Sequence, residues 1–204
     1  MSNYQVLHLG QKILKFNVPQ KMIDTINKTY EENTLPKHNN YLAGKIEKQH
    51  RITEHLTDEV KDYFGQCFSL YLQEHNFLRL PFKVKLLDAW INEMQENEYN
   101  PMHTHRGFSY LGLSSVLCLK VPSTYGREYS TEHSACNGLL DIIANNGGMF
   151  SNNQYRHRLS VGELFIFPYD ISHGVYPFNN TKETRRTMSF NCDLPIELSQ
   201  RIIT

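Results

Sequence analysis

The sequence predicts a mainly β, α+β domain in which two helices precede a β-sandwich or barrel. Three observations carry this expectation. Two apolar stripes at helical spacing lie before residue 75. From Lys83 onward the segments become short, alternating and rich in β-branched and aromatic residues. Gly, Pro and Asn clusters separate those segments, as in Asn100-Pro101, Asn145-Asn146-Gly147-Gly148 and Phe178-Asn179-Asn180. Many short strands with turn signals fit a sandwich or barrel, and helices that come first fit one outer face of its sheet.

Taken in order, Tyr4–Leu9 and Lys12–Asn17 alternate as two short strands parted by Gly10. Val18-Pro19 opens the first helix, because proline is tolerated in a first turn. Met22, Ile23, Ile26 and Tyr30 form its apolar face, and Pro36 closes the segment. Thr57-Asp58-Glu59 starts the second helix with a cap oxygen and acids near the positive end of the dipole. Val60, Tyr63, Phe64, Cys67, Phe68, Tyr71 and Leu72 follow on one face, read as a stripe packed on a sheet rather than a ligand box. The expected strands are then Val84–Asn92, Ser114–Val121, Gly138–Ile143, Glu163–Phe167, Gly174–Phe178 and Arg185–Asn191. We expect one domain over 1–204, with 1–80 supporting a β core at 81–192.

Composition narrows the function. The chain has 204 residues, with 21 Lys+Arg against 21 Asp+Glu. Phosphate-directed nucleic-acid binding calls for a basic excess, so no nucleic-acid partner is expected. No apolar run of 18 residues exists, so no membrane span is expected. The N-terminus lacks the charged and apolar regions of a secretion signal. Cys67, Cys118, Cys136 and Cys192 show no paired spacing, which fits reduced thiols in a cytoplasmic protein.

Three constellations carry chemistry. His103 and His105 are two residues apart, so an extended segment puts both imidazoles on one face, within reach of one metal ion. Alone, such a pair also arises by chance. Gly162–Pro168 is a very apolar strand whose following loop delivers His173, either as a ligand or as a hydrogen-bonded structural histidine. In Arg185–Asn191 alternation groups Arg185, Thr187, Ser189 and Asn191 on one face, and Arg186, Met188 and Phe190 on the other. An arginine with a hydroxyl two residues on is a donor set for a carboxylate. The competing reading is an edge strand with a solvated polar face.

The order His-x-His, 68 residues to His173 (173 − 105) and 12 more to Arg185 (185 − 173) resembles the Fe(II)/2-oxoglutarate dioxygenases. Within them, Trp90-Ile91-Asn92, Ser114 to Pro122, Asn137-Gly138-Leu139, Gly162 to Pro168, His173-Gly174-Val175 and Arg185 to Asn191 are similar, in order, to a 2-oxoglutarate-Fe(II) oxygenase family of marine phages and bacteria near the prolyl hydroxylases. Leu42–Ile46 also looks like its phage members. The resemblance implies a double-stranded β-helix (jelly roll) core with N-terminal helices packed on one sheet. It implies Fe(II) held by His103, His105 and His173, and 2-oxoglutarate gripped by Arg185 with Thr187 and Asn92. O2 is then the second small-molecule cosubstrate. The substrate is a prolyl or other residue of a protein or peptide, or a small molecule. The expected location is the cytoplasm, that of the host for a phage-encoded chain.

Two departures from the family pattern matter. The second metal position is His105, where a carboxylate is common, and Asp170 is the expected fallback ligand. Three neutral histidines leave Fe(II) at +2, a charge that the 2-oxoglutarate dianion neutralises. The strand after the motif has Leu117 and Cys118 in place of the family's tyrosines, so Tyr110 is the expected alternative hydroxyl. Two other functions fit parts of the pattern: a non-catalytic jelly-roll or virion protein, and a cupin-like three-histidine dioxygenase that does not use 2-oxoglutarate. Loops Arg106–Gly112 and Tyr125–Asn137 surround the metal motif, and the second, long for a compact domain, is expected to form a substrate lid, the alternative being a plain surface insertion.

Overall fold

The computed structural model describes residues 10–39, 44–74, 86, 88–108, 111–129, 135–145 and 147–194. The expected strand Tyr4–Leu9 and the alternative hydroxyl Tyr110 lie outside them. Ten strands and two helices are described: β1 (Leu14–Asn17), α1 (Gln20–Glu32), β2 (Lys48–Arg51), α2 (Asp58–Glu74), β3 (Asp88–Met94), β4 (Asn100–His103), β5 (Gly112–Lys120), β6 (Leu140–Ile143), β7 (Gln154–His157), β8 (Glu163–Pro168), β9 (Ser172–Val175) and β10 (Arg185–Asp193). The strands form two antiparallel sheets. One has the order β1-β8-β5-β10-β3-β2 and the other β4-β9-β6-β7.

Both helices cover the outer face of the six-stranded sheet, as expected. Ile23 and Ile26 of α1 join Val60, Phe64, Cys67, Phe68, Tyr71 and Leu72 of α2 in one cluster with Ile91, Leu117, Leu164, Ile166, Met188 and Phe190. Phe64 and Phe68 both contact Phe190, with ring centroids 4.3 and 5.4 Å away. Each large apolar side chain buried this way contributes about 1.5–3 kcal/mol. Thr57 caps α2, its Oγ1 accepting from the Val60 amide. Pro19 sits one position earlier than expected, as the residue before α1, and its carbonyl accepts from Met22 and Ile23.

A second core lies between the sheets. It joins Val116, Cys118, Phe165 and Phe167 of the large sheet to Leu140 and Ile142 of the small one. The strand expected at Gly138–Ile143 starts at Leu140, because Gly138 takes φ +68° in a turn. The strand expected at Gly174–Phe178 is Ser172–Val175 instead. Proline at 177 lacks the N–H a ladder needs. β10 is no edge strand: it lies between β5 and β3 and is buried along Arg185–Cys192. The solvated reading of its polar row is therefore wrong.

Candidate metal and cosubstrate site

Short β4 and β9 pair so that His103 lies opposite His173. His105 follows β4 in a loop pinned by its amide donating to the Tyr169 carbonyl at 2.9 Å. One ring nitrogen from each of the three histidines falls within 4.8 Å of the others. His105 Nε2 and His173 Nε2 are 3.2 Å apart. His103 Nδ1 is 2.7 Å from the Pro101 carbonyl, and His173 Nδ1 is 3.2 Å from that of Ile171. A carbonyl only accepts, so both Nδ1 atoms carry the proton and both Nε2 lone pairs are left for an ion.

Burial keeps these rings neutral. It pushes His105 down to about 3, with His103 adding to the effect. Burial pushes His173 well below its usual range, with His105 and His103 adding to it. His103 is also lowered by burial, against a smaller opposing effect of its bond to Pro101. Trp90 and Phe167 wall the cluster, with ring centroids 5.9 Å from His105 and 4.6 Å from His173. No carboxylate joins this cluster among the described residues. Asp170, the fallback ligand, accepts instead from Gln11 Nε2 at 2.8 Å and Asn145 Nδ2 at 2.9 Å.

Arg185 heads β10 and points between the sheets. It is 2% exposed. Its Nη1 approaches Met94 Sδ at 3.9 Å, while Nε and Nη2 are buried with no hydrogen-bond partner. Arg185 is level with Met94, four residues along β3 from Trp90, which is about 13 Å of strand. Thr187 shares its face, level with Asn92 on one side and Cys118 on the other. Asn92 Oδ1 accepts from Gln49 Nε2 at 3.1 Å, which leaves the Asn92 Nδ2 donor for another partner. Gln49, fully buried on β2, went unnoticed in the sequence because Lys48–Arg51 has no apolar pattern.

Arg186 faces the other way, as alternation requires. It is not idle: it pairs with Glu93 at 3.0 Å and Glu31 at 2.8 Å, donates to Asn27, and lies 4.5 Å over the Tyr30 ring. It ties α1 to the sheet. The described residues of the Tyr125–Asn137 segment are held by many local contacts. Asn179 and Asn137 hold the backbone of Tyr125 and Arg127, and Glu128 accepts from the Cys136 and Asn137 amides and from Arg158. Its Gly138 end bonds to Pro177, four residues beyond His173 along and past β9. The described part of the loop is thus tied to the segment after β9 and to Arg158 by these contacts.

Solved structures share this fold. A prolyl-4-hydroxylase from Pseudomonas putida aligns over 91% of this chain and 93% of its own, with 14% identity and a TM-score of 0.58. A prolyl hydroxylase from Trichoplax adhaerens, in complex with a hypoxia inducible factor peptide fragment, aligns over 94% and 86% with 12% identity and a TM-score of 0.58. The viral collagen prolyl hydroxylase of Paramecium Bursaria Chlorella virus-1, in a 2OG complex, aligns over 89% and 96% with 13% identity and a TM-score of 0.56. No curated protein matches the sequence.

Three histidines whose ring nitrogens converge on a mainly β fold form a candidate metal site. The chain belongs to the family described as "Putative 2OG-Fe(II) oxygenase", whose model matches residues 88–191. It is an Fe(II)- and 2-oxoglutarate-dependent oxygenase. Membership removes the non-catalytic alternative. No described helix is long and apolar enough to cross a membrane.

Proposed function

We propose that the chain is a hydroxylase of prolyl or other residues in a protein or peptide, or of a small molecule. In this reading it is a single domain whose residues 81–192 form a double-stranded β-helix, supported by 1–80. His103, His105 and His173 hold Fe(II), Arg185 grips the distal carboxylate of 2-oxoglutarate, and Thr187 and Asn92 donate beside it.

The residues fit both groups. Three neutral imidazoles suit Fe(II). The observation that carries the cosubstrate assignment is the Arg185 guanidinium, buried with two nitrogens unpartnered. A buried charge with no partner is costly, and a carboxylate offers the bidentate match. A three-histidine oxygenase without 2-oxoglutarate would have no use for it. Bound iron with its 2-oxo acid supplies the oxidising chemistry for an unactivated C–H bond. The chain's own part is to bind, orient and shield. The carbonyls of Pro101 and Ile171 fix two imidazoles in the ligating tautomer, and Trp90 and Phe167 keep water from the rings. Gln49 turns Asn92 so that its amide nitrogen is free to donate.

A peptide substrate is supported by the likeness to prolyl hydroxylases, one of them solved with a peptide. Phe108, wholly exposed three residues beyond His105, offers an apolar contact for such a chain. Its amide is anchored on Asp193 at 2.8 Å. The test supplies Fe(II)-loaded protein with 2-oxoglutarate, O2 and either proline-containing peptides or free amino acids, and measures succinate. Peptides are expected to raise succinate yield above the substrate-free rate. Succinate from neither set, nor without substrate, would overturn the reading.

A further inference from the structure

Towards the other end of β10 from Arg185, two more buried polar atoms have no hydrogen-bond partner: Ser114 Oγ and Asn191 Oδ1. Ser114 is fully buried and Asn191 is 8% exposed. The two residues lie directly opposite each other on β5 and β10. Opposed residues of an antiparallel pair point to the same face, with Cβ atoms about 4.5–5.5 Å apart. That face looks between the sheets. Val116 and Cys118, in step with Ser114 along β5, belong to the core between the sheets, whereas Leu113, Leu117, Phe190 and Cys192 pack under the helices. Fold energetics alone gives no reason to keep either group, because an unpaired buried polar atom destabilises and an apolar residue of similar shape does not.

The neighbours of this pair wall the histidine cluster. Ser114 is also level with Phe167 on β8, whose ring is 4.6 Å from that of His173. Asn191 is two residues along β10 from Ser189, which is level with Trp90, and the Trp90 ring is 5.9 Å from that of His105. Arg185 is six residues from Asn191 on the same strand, about 20 Å. The nearby charges are already met. Asp88, level with Asn191, pairs with Arg51 at 2.9 Å. Asp193, two residues beyond Asn191, accepts from Tyr169 Oη at 3.0 Å and from the amide of exposed Phe108. What is left is neutral: a hydroxyl that can donate, beside an amide oxygen that can only accept. A peptide group is the complement, its carbonyl for the hydroxyl and its N–H for the amide oxygen. A carboxylate has no donor for Asn191 Oδ1, and an ammonium would be buried here without a counter-charge.

We propose that Ser114 and Asn191 form a substrate subsite for an uncharged amide, the peptide group flanking the residue to be hydroxylated. The subsite rests on the hydroxylase reading above and narrows its substrate class. It favours a residue within a peptide over a free amino acid, whose carboxylate and ammonium match neither group.

The test uses the full chain loaded with 2-oxoglutarate and Zn(II), which imidazoles bind and which has no redox chemistry. The probes are N-methylacetamide, a bare peptide group, and acetate and methylammonium, charged groups of similar size. Binding is read from the side-chain amide NMR signal of Asn191, identified by its absence in Asn191→Leu. N-methylacetamide should move that signal to saturation, and the charged probes should not. Ser114→Ala should weaken N-methylacetamide about fivefold, the loss of one neutral hydrogen bond. It should leave 2-oxoglutarate affinity unchanged and the ligand-free melting temperature equal or higher. An Asn191 signal that stays still, or that moves as far with acetate, would overturn the subsite. Unaltered N-methylacetamide binding in Ser114→Ala with a lower melting temperature would also overturn it, by showing that the hydroxyl serves the fold. So would weakened 2-oxoglutarate in that variant, which would assign the pair to the cosubstrate. Failure of the wild-type protein to bind 2-oxoglutarate would overturn the cosubstrate reading, and the N-methylacetamide titration, repeated without 2-oxoglutarate, would still decide the subsite.

Discussion

Replacing Arg185 by alanine removes a buried guanidinium whose Nε and Nη2 have no partner in the protein. Two charge-assisted bonds to a carboxylate are lost, each about 1.5–3 kcal/mol. Counting only the low end for both gives about 3 kcal/mol, a loss of affinity of roughly 100-fold or more at 1.4 kcal/mol per tenfold. The same number fixes a melting experiment. At a ligand concentration of about 100 Kd the wild-type protein gains about 2.7 kcal/mol from 2-oxoglutarate. With Kd raised about 100-fold, the same concentration gives the variant only about 0.4 kcal/mol. At about 2–4 °C per kcal/mol for a chain of this size, the ligand-induced rise falls from roughly 5–11 °C to about 1–2 °C. Ligand-free stability should change little, because the lost packing is offset by removal of an unpaired charge. Arg185→Lys keeps the charge but not the fork and should fall between the two. A calorimetric Kd for Arg185→Ala within about threefold of wild type would refute the assignment.

Arg186→Ala should act on stability instead of affinity. It leaves the buried Glu93 without its guanidinium partner, a loss of about 3–5 kcal/mol, or roughly 6–20 °C of melting temperature; a normal melt with weakened 2-oxoglutarate binding would put the β10 register wrong by one residue. The same pair should shape the acid limb of stability. Burial pushes the Glu93 carboxyl up, but the Arg186 charge and bond, with Thr184 and Lys48, hold it below its usual value. A carboxyl depressed in the fold stabilises above its unfolded pKa, about 4.3, and that contribution disappears as pH falls through the lower folded value. Glu93→Gln should therefore flatten the stability profile below about pH 4.3, and urea titrations across that range showing an unchanged slope would mean the carboxyl is not depressed. Elemental analysis of the iron-loaded protein should count one Fe per chain, and well under one in His105→Ala. Full occupancy in that variant would remove His105 from the ligand set, and Asp170, turned towards Gln11 and Asn145, would have to reorient to replace it.

The Arg185 face was legible because it rests on strand alternation, which holds wherever a strand is buried on both sides, whereas the histidine pair needed only closeness in sequence, with His105 in the loop just past β4. Arg185–Asn191 is such a strand, and its two faces separate as alternation requires. The apolar stripes of α1 and α2 were legible for the same reason at helical period. What stayed hidden is polar, edge-lying or irregular. β2 and β7 read Lys-Gln-His-Arg and Gln-Tyr-Arg-His, edge strands with no apolar alternation. β4 contains Pro101 and pairs only through Asn100 and His103. One contributor to the proposed cosubstrate site comes from such a segment: Gln49 lies 43 residues before the amide it orients. The described part of the Tyr125–Asn137 loop is held by contacts between distant residues, Glu128 with Arg158 and Gly138 with Pro177. Local pattern does not encode those contacts, because each donor and acceptor could equally face water. The interior polar row argues the same point from the other side. Arg185, Thr187, Ser189 and Asn191 are readable as a set, but only the structure shows that Arg185 lacks a partner. Arg186, the next residue of the same strand, has its charge met by Glu93 and Glu31, so the contrast with Arg185 is what supports the proposed carboxylate partner.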